Sequence, residues 1–477
     1  MKRFPAVLLA ALLPFSCARP ALQHADWAPD VRSALTDFIA AERSGDDRYV
    51  VFDFDNTCSI FDVSEQLMVY QLETMGFGLD PEGFSRMAMA GMEGRPEALL
   101  SQIRGLIASY ADLYARFGPF SYAGVPPETA ERMLSDPAWK DFAVRMMGMY
   151  DGLQAYMTSA ESYTWTLGWF SGMTGEEVYD LSRRSHARYG SVETASRSWT
   201  GTDTTFSWID GIQVTDNIRE LWKTLDDNGF DVWVCSASEV APVMAAIDVF
   251  GLHDTCTGVI GMTMARDSLG RYLPYYDYTD GCAFFAAPDG GWVRDTVPTR
   301  TRPYAEGKVE AIRNCLVPRY HGKGPLAGFM DATGDFNFCT EFSSMRLAVC
   351  FNRASRKVTE GAGLIAEVAV YEKEALGYTY RKARRRGDIL YVLQGRDENG
   401  LRTLRPSPAT VRFGTDAERL FCNDENVAEY EYFRQNKLTV KEILEKFSLR
   451  TAAGDPANPL GFAYGFLDTY ADYRSRE

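Results

Sequence analysis

The stretch Tyr49-Val50-Val51-Phe52-Asp53-Phe54-Asp55-Asn56-Thr57 constrains this chain more than any other. Tyr49 to Phe54 is a β-branched and aromatic run that predicts a buried strand, and it breaks off at two aspartates one residue apart. Side chains alternate along a strand, so Asp53 and Asp55 leave its end on the same side. Carboxylates held that close repel unless a cation or a shared proton intervenes. The pattern therefore points to a metal site, or to a nucleophile with an acid/base partner. Helix capping by Asp55 or Thr57 is the plainer alternative.

Asp53-Phe54-Asp55-Asn56-Thr57 resembles motif I of the haloacid dehalogenase superfamily. The resemblance implies that Asp53 is a nucleophile, that Asp55 is a general acid/base, and that three more motifs follow in order. Val232-Trp233-Val234-Cys235 predicts a second buried strand running into Ser236-Ala237-Ser238. A hydroxyl at the carboxyl end of a parallel strand can donate to a phosphate oxygen, and Ser236 matches motif II; a helix cap is the alternative. Lys308 stands in the first turn of the helix expected from Gly307 to Ile312. A cation is unfavourable there, so another interaction must favour it, and Lys308 matches motif III. Phe329 to Asp335 reads as a strand followed by Gly334-Asp335, with Asp335 matching the first acid of motif IV. The family commonly has a second acid four residues later, where this chain has Cys339; Glu341, Asn337 or a water are the replacements considered. The implied metal is Mg²⁺, held by Asp53, the carbonyl of Asp55 and Asp335.

About Phe61 to Asp210 the pattern is mainly helical, as in Leu99-Leu100, Ile103, Leu106-Ile107 and Tyr110, with turn signals such as Pro126-Pro127 between helices. The expected fold class is α/β, a Rossmann-like parallel-sheet core with an inserted α-helical cap. Residues 1–20 read as a signal peptide, 21–60 and 211–355 as the core, 61–210 as the cap, and 356–477 as an extension of the core. That extension is expected to hold a polar helical segment, a strand from Ile389 and a helix from Val440; one hairpin excursion is expected between Gly261 and Glu306.

Placement of the insertion resembles the phosphoserine phosphatase-like branch, and the export signal with Ser236 to Glu239, Gly307 to Ile312 and Leu393 to Asn399 most resembles secreted bacterial phosphorylcholine phosphatase-type proteins. The cap carries Trp165 and Trp169, and aromatic faces bind quaternary ammonium groups. Glu65, twelve residues after Asp53, is the carboxylate the resemblance places on the substrate side. Ordinary cap packing for the tryptophans and a capping or exposed role for Glu65 are the alternatives.

Export follows from Lys2-Arg3, the apolar run Val7 to Leu13 and Ser16-Cys17-Ala18, which is signal-peptide anatomy. Cys17 is a candidate lipidated residue, with cleavage after Ala18 the alternative; the expected location is the bacterial periplasm or a membrane-anchored lipoprotein. A membrane contact is expected only through that anchor, and no protein partner is implied. A net charge of −15 argues against nucleic acid and gives no global attraction for phosphate esters, so any anion site must be local. The basic tract Arg381 to Arg386 reads as a solvated helix face, and the four histidines lack zinc-ligand spacing. Cys256 with Cys282 is a candidate disulfide.

The expected function is that of an exported Mg²⁺-dependent phosphomonoesterase working through a phospho-aspartate on a small phosphorylated substrate, phosphocholine first and phosphoserine next. A non-catalytic phosphoester- or choline-binding lipoprotein on the same fold is the competing class.

Overall fold

Tyr49, Val50, Val51 and Phe52 form a four-residue strand that is buried at every position, as a strand with neighbours on both sides and helices on both faces must be. Val50 and Phe52 face one half of the core, where Phe52 stacks on Phe329 at 3.7 Å. Tyr49 and Val51 face the other, with Trp233, Ile260 and Val309. The structure is a computed structural model that describes residues 22–277, 283–299, 302–354 and 361–446. Met1 to Pro20, with Cys17, lie outside the described residues.

Six parallel strands make the centre of the sheet, in the spatial order Gly258–Met262, Asp231–Glu239, Tyr49–Phe52, Ala327–Met330, Leu347–Phe351 and Leu390–Gln394. Numbered along the chain this is 3-2-1-4-5-6, the order of a doubly wound Rossmann-like sheet. Ala283–Ala286 and Trp292–Arg294 extend it antiparallel at one edge. The chain leaves Tyr49–Phe52 towards one side and reaches Ala327–Met330 on the other. The switch point therefore lies between the carboxyl ends of these two strands, where such sheets bind ligands.

Between the first two core strands an inserted segment holds Val63–Thr74 and six further α-helices, the last of them Gly175–Tyr189, before the core helix Asp216–Asp227. The segment then closes with an antiparallel hairpin, Ala195–Thr200 with Thr205–Asp210, which the helical pattern did not anticipate. Trp199 and Trp208 lie on this hairpin 4.5 Å apart, and Trp199 meets Trp139 edge-on at 5.3 Å. Gly175–Tyr189 packs along the core helix Val240–Val249, where buried His186 places Nε2 3.0 Å from the Pro242 carbonyl.

Among the described residues, two hairpins rather than one lie on the path to Lys308: Met264–Arg266 with Tyr272–Tyr276, and the pair that joins the main sheet. Cys256 is a buried thiol, and Cys282 lies outside the described residues. In the tail the helix Gly361–Glu374 is apolar, not polar, with Leu364, Ile365 and Val368 buried. The basic tract lies on Tyr380–Arg386, where Arg381 and Arg384 pair with Asp37 and Glu42 of Pro29–Glu42. No helix among the described residues is long and apolar enough to cross a membrane.

Candidate active site

Asp53 continues the parallel ladder one residue past its strand, its N–H donating to the Phe329 carbonyl at 3.0 Å. That bond fixes its carboxylate at the switch point. Lys308, fully buried in the first turn of Glu306–Cys315, places Nζ 2.5 Å from Asp53 Oδ1 and 2.6 Å from Asp335 Oδ1. These two ion pairs are the interaction that the unfavourable helix position required. Thr57 Oγ1 lies 3.3 Å from Asp53 Oδ2 and 3.2 Å from Asp331 Oδ1, and its one proton can go to either. Asp331 Oδ2 accepts from Arg353 Nη1 at 3.0 Å, while Asp335 Oδ2 accepts the N–H groups of Asp331 and Ala332.

One carboxylate oxygen from each of Asp53, Asp331 and Asp335 lies within 4.8 Å of the others, and all three residues are buried. Burial, then the nearby Asp335, pushes the Asp53 carboxyl well above its usual range despite Lys308. Burial would lower the Lys308 ammonium, but Asp335 and Asp53 outweigh it and hold the group above its ordinary value. With the three acids ionised, Lys308 and Arg353 leave a negative charge uncompensated. An all-carboxylate donor set of this kind fits a hard divalent cation such as Mg²⁺.

Asp55 faces elsewhere. Its Oδ1 accepts the Val63 N–H at 2.7 Å and its Oδ2 accepts Ser238 Oγ at 2.7 Å. Burial, then the neighbouring Asp62, raises its carboxyl well above the usual range, although the Val63 N–H and the Ser238 hydroxyl work against the shift. Burial favours the protonated form of this carboxyl, which suits it to give up a proton to a leaving group. Asp62 caps Val63–Thr74 by accepting from the N–H groups of Ser64 and Glu65, so the cap begins at the site itself.

The carboxylate cluster adds Asp331 to the expected Asp53 and Asp335; the Asp55 carboxylate lies apart from it, and the ligand expected from Asp55 is its main-chain carbonyl. Asp331, the residue after the strand Ala327–Met330, and Asp335 have the four-residue spacing that was sought between Asp335 and position 339. Cys339 is a buried core residue whose Sγ would lie 2.7 Å from a Cβ placed on Gly328. Asn337 Nδ2 donates to Glu341 Oε1 at 2.9 Å, and Glu341 is not one of the clustered acids.

The strand that carries Ser236 places a second hydroxyl beside the site, that of Ser238. The strand runs on to Glu239, with an irregular register between Cys235 and Glu239 of the kind bulges make beside sites. Ser236 is buried, its Oγ accepting the Ser238 N–H at 3.1 Å, so the hydroxyl that touches a candidate catalytic carboxylate belongs to Ser238.

Trp165 and Trp169 are 4% and 1% exposed and meet edge-on at 6.5 Å. Trp165 Nε1 donates to the Ala88 carbonyl, and the Trp169 ring packs against Phe77. Both rings are packed in the hydrophobic core of the helical insertion, as the packing alternative to a substrate cage expects. Glu65 is exposed in the first turn of the helix whose first N–H binds Asp55. Sequence reasoning missed Asp331, Ser238 and Arg353; the Asp-x-x-x-Asp spacing was the one signal available for Asp331.

The chain is similar over 83% of its length, and over all of the other chain, to the crystal structure of a conserved functionally unknown protein from Anaerococcus prevotii DSM 20548, at 21% identity and a TM-score of 0.62. This fold is shared. A phosphoserine phosphohydrolase-like protein from Francisella tularensis subsp. tularensis SCHU S4 aligns at 11% identity over 64% of this chain and 87% of its own, with a TM-score of 0.29. Cytosolic 5'-nucleotidase IIIB bound to cytidine aligns at 15% identity over 70% of this chain and 83% of its own, with a TM-score of 0.28. Overlap at those two scores says nothing about this chain's chemistry. No family model and no curated protein matches the sequence.

Proposed function

We propose that the protein is a Mg²⁺-dependent phosphomonoesterase of the haloacid dehalogenase type, exported by the segment Met1 to Pro20. The observation that carries the reading is the Lys308 ammonium bridging Asp53 and Asp335 at the switch point, with Asp331 completing the cluster.

A carboxylate approaching a phosphate dianion meets like-charge repulsion of about 4 kcal/mol per charge pair at ~4 Å and an effective dielectric of 20. Lys308, beside the nucleophilic oxygen, offsets part of it. A divalent cation held by Asp53, Asp331 and Asp335 would supply further positive charge against the phosphoryl oxygens. Asp53 attacks phosphorus, the bond from phosphorus to the leaving oxygen breaks, and Asp55 gives its proton to the departing alkoxide. Asp55 then takes a proton from the water that attacks the phospho-aspartate, releasing inorganic phosphate and restoring Asp53. Ser238 and the Val63 N–H keep Asp55 aimed for both transfers.

The substrate class is a small phosphomonoester. Phosphocholine is retained as the first substrate to try on account of Glu65, since the two tryptophans named for it lie in the cap core. The binding-lipoprotein reading arose from Cys339, and it loses that ground because Asp331 and Asp335 supply the acid pair. Phosphate release from phosphocholine, phosphoethanolamine, phosphoserine and an aryl phosphate, with and without Mg²⁺, tests the reading. Mg²⁺-dependent release that disappears in Asp53→Asn supports it; release that persists in that variant sinks it.

A further inference from the structure

The sixth parallel strand, Leu390–Gln394, delivers an arginine to the back of motif I. Gly395 makes the delivery possible, because a Cβ there would meet the Ala409 carbonyl oxygen at 2.1 Å. Arg396, 1% exposed, donates from Nη1 to the Asn56 carbonyl at 3.0 Å and from Nη2 to Asn56 Oδ1 at 3.1 Å. Glu398 Oε1 accepts from its Nε and Nη2 at 3.0 and 2.6 Å, which fixes the plane of the guanidinium. Glu398 Oε2 is anchored in turn by the Phe413 N–H.

Asn56 is the residue at which the loop turns. Its φ of 63° lies in the left-handed region, which residues other than glycine enter at a cost. The turn sends the N–H groups of Thr57, Cys58 and Ser59 back to the Phe54 carbonyl, at 3.2, 2.8 and 3.1 Å. It also separates the tasks of the two aspartates, Asp53 facing Lys308 and Asp55 facing Ser238. Arg353, which follows the fifth parallel strand, braces Asp331 from the same tail side.

We propose that Arg396 is a positioning residue for the nucleophile loop: its fork on Asn56 holds the turn that sets Asp53 against Lys308 and Asp55 against Ser238. This rests on the phosphomonoesterase reading. It makes the C-terminal strands part of the catalytic unit. A lysine cannot replace the fork, because an ammonium is a point charge that does not span two Asn56 oxygens and Glu398 in one plane.

The test uses full-length wild type, Arg396→Lys, Arg396→Ala and Asp53→Asn with an aryl phosphate and Mg²⁺. Arg396→Lys is expected to fold and to keep KM while kcat falls about 10- to 100-fold. Added guanidinium ion is expected to restore part of the kcat of Arg396→Ala and to do nothing for Asp53→Asn. A folded Arg396→Lys with wild-type kcat, or a kcat loss that guanidinium leaves unchanged in folded Arg396→Ala, overturns the proposal. Should both arginine variants unfold, Asn56→Gly accepts the backbone angle but lacks the side-chain acceptor; it is expected to lower kcat at constant KM, and wild-type kcat there overturns the proposal. No phosphate release by the wild type would overturn the phosphomonoesterase reading itself, and this proposal with it.

Discussion

The N–H of Asp331 donates to Asp335 Oδ2 across 3.3 Å, so the two acids that leave the Ala327–Met330 strand are tied together by the turn between them. Asp331 is braced by Arg353 on its far side, and Asp335 by Lys308. The pair is thus held as a unit facing Asp53.

Asp331→Asn tests that unit. It keeps the side-chain shape and removes one charge from the cluster. Mg²⁺ affinity, read by calorimetry, is expected to fall by roughly ten-fold or more while the fold persists. Unchanged affinity would exclude Asp331 from the metal site.

Cys339→Asp separates the two alignments of motif IV. If Cys339 occupied the position of the second acid, the substitution would strengthen Mg²⁺ binding. Cys339 is fully buried against Gly328, and Asp335 is close enough to help push its thiol above the ordinary range, after burial itself. An aspartate there is a buried carboxyl beside another acid. The melting temperature is expected to drop without any gain in Mg²⁺ affinity.

What could be read without coordinates was local. Asp53, Asp55 and Lys308 each carry their signal within a few residues: a strand that stops at an acid pair, or a cation at the wrong end of a helix. Asp331 was hidden because the second acid was sought four residues after Asp335 and not four before it. Ser238 was hidden by a strand that continues through an irregular register to Glu239. Arg396 meets Asn56 across 340 residues, and no spacing rule joins positions so far apart. For Trp165 and Trp169 an aromatic count alone does not distinguish a cage from a core.

Trp165→Phe and Glu65→Gln should behave differently. The first loses the indole bond to Ala88 and some packing, so stability is expected to fall by about 1–2 kcal/mol with substrate preference unchanged. Glu65→Gln is expected to weaken phosphocholine turnover more than that of a neutral aryl phosphate. Selectivity that follows Trp165 instead would return the cap tryptophan to the substrate site.

His186 sets an acid limit on the docking of the cap. Burial lowers its imidazole from 6.5 to about 4, although the Pro242 carbonyl opposes the shift. The unfolded chain therefore takes up this proton first: the contribution is complete above pH 6.5 and is lost as pH falls towards 4, by on the order of 3 kcal/mol. Urea unfolding of His186→Gln beside wild type, at about pH 5 and about pH 7.5, should give the smaller acid loss in the variant. Equal losses would remove His186 from the account.

The most direct measurement is the mass of the acid-quenched enzyme during turnover of an aryl phosphate with Mg²⁺, followed by peptide mapping. One added phosphoryl group is expected, located on Asp53, sensitive to hydroxylamine and absent from Asp53→Asn. Turnover without a phosphorylated Asp53, or with the group on another residue, would contradict it.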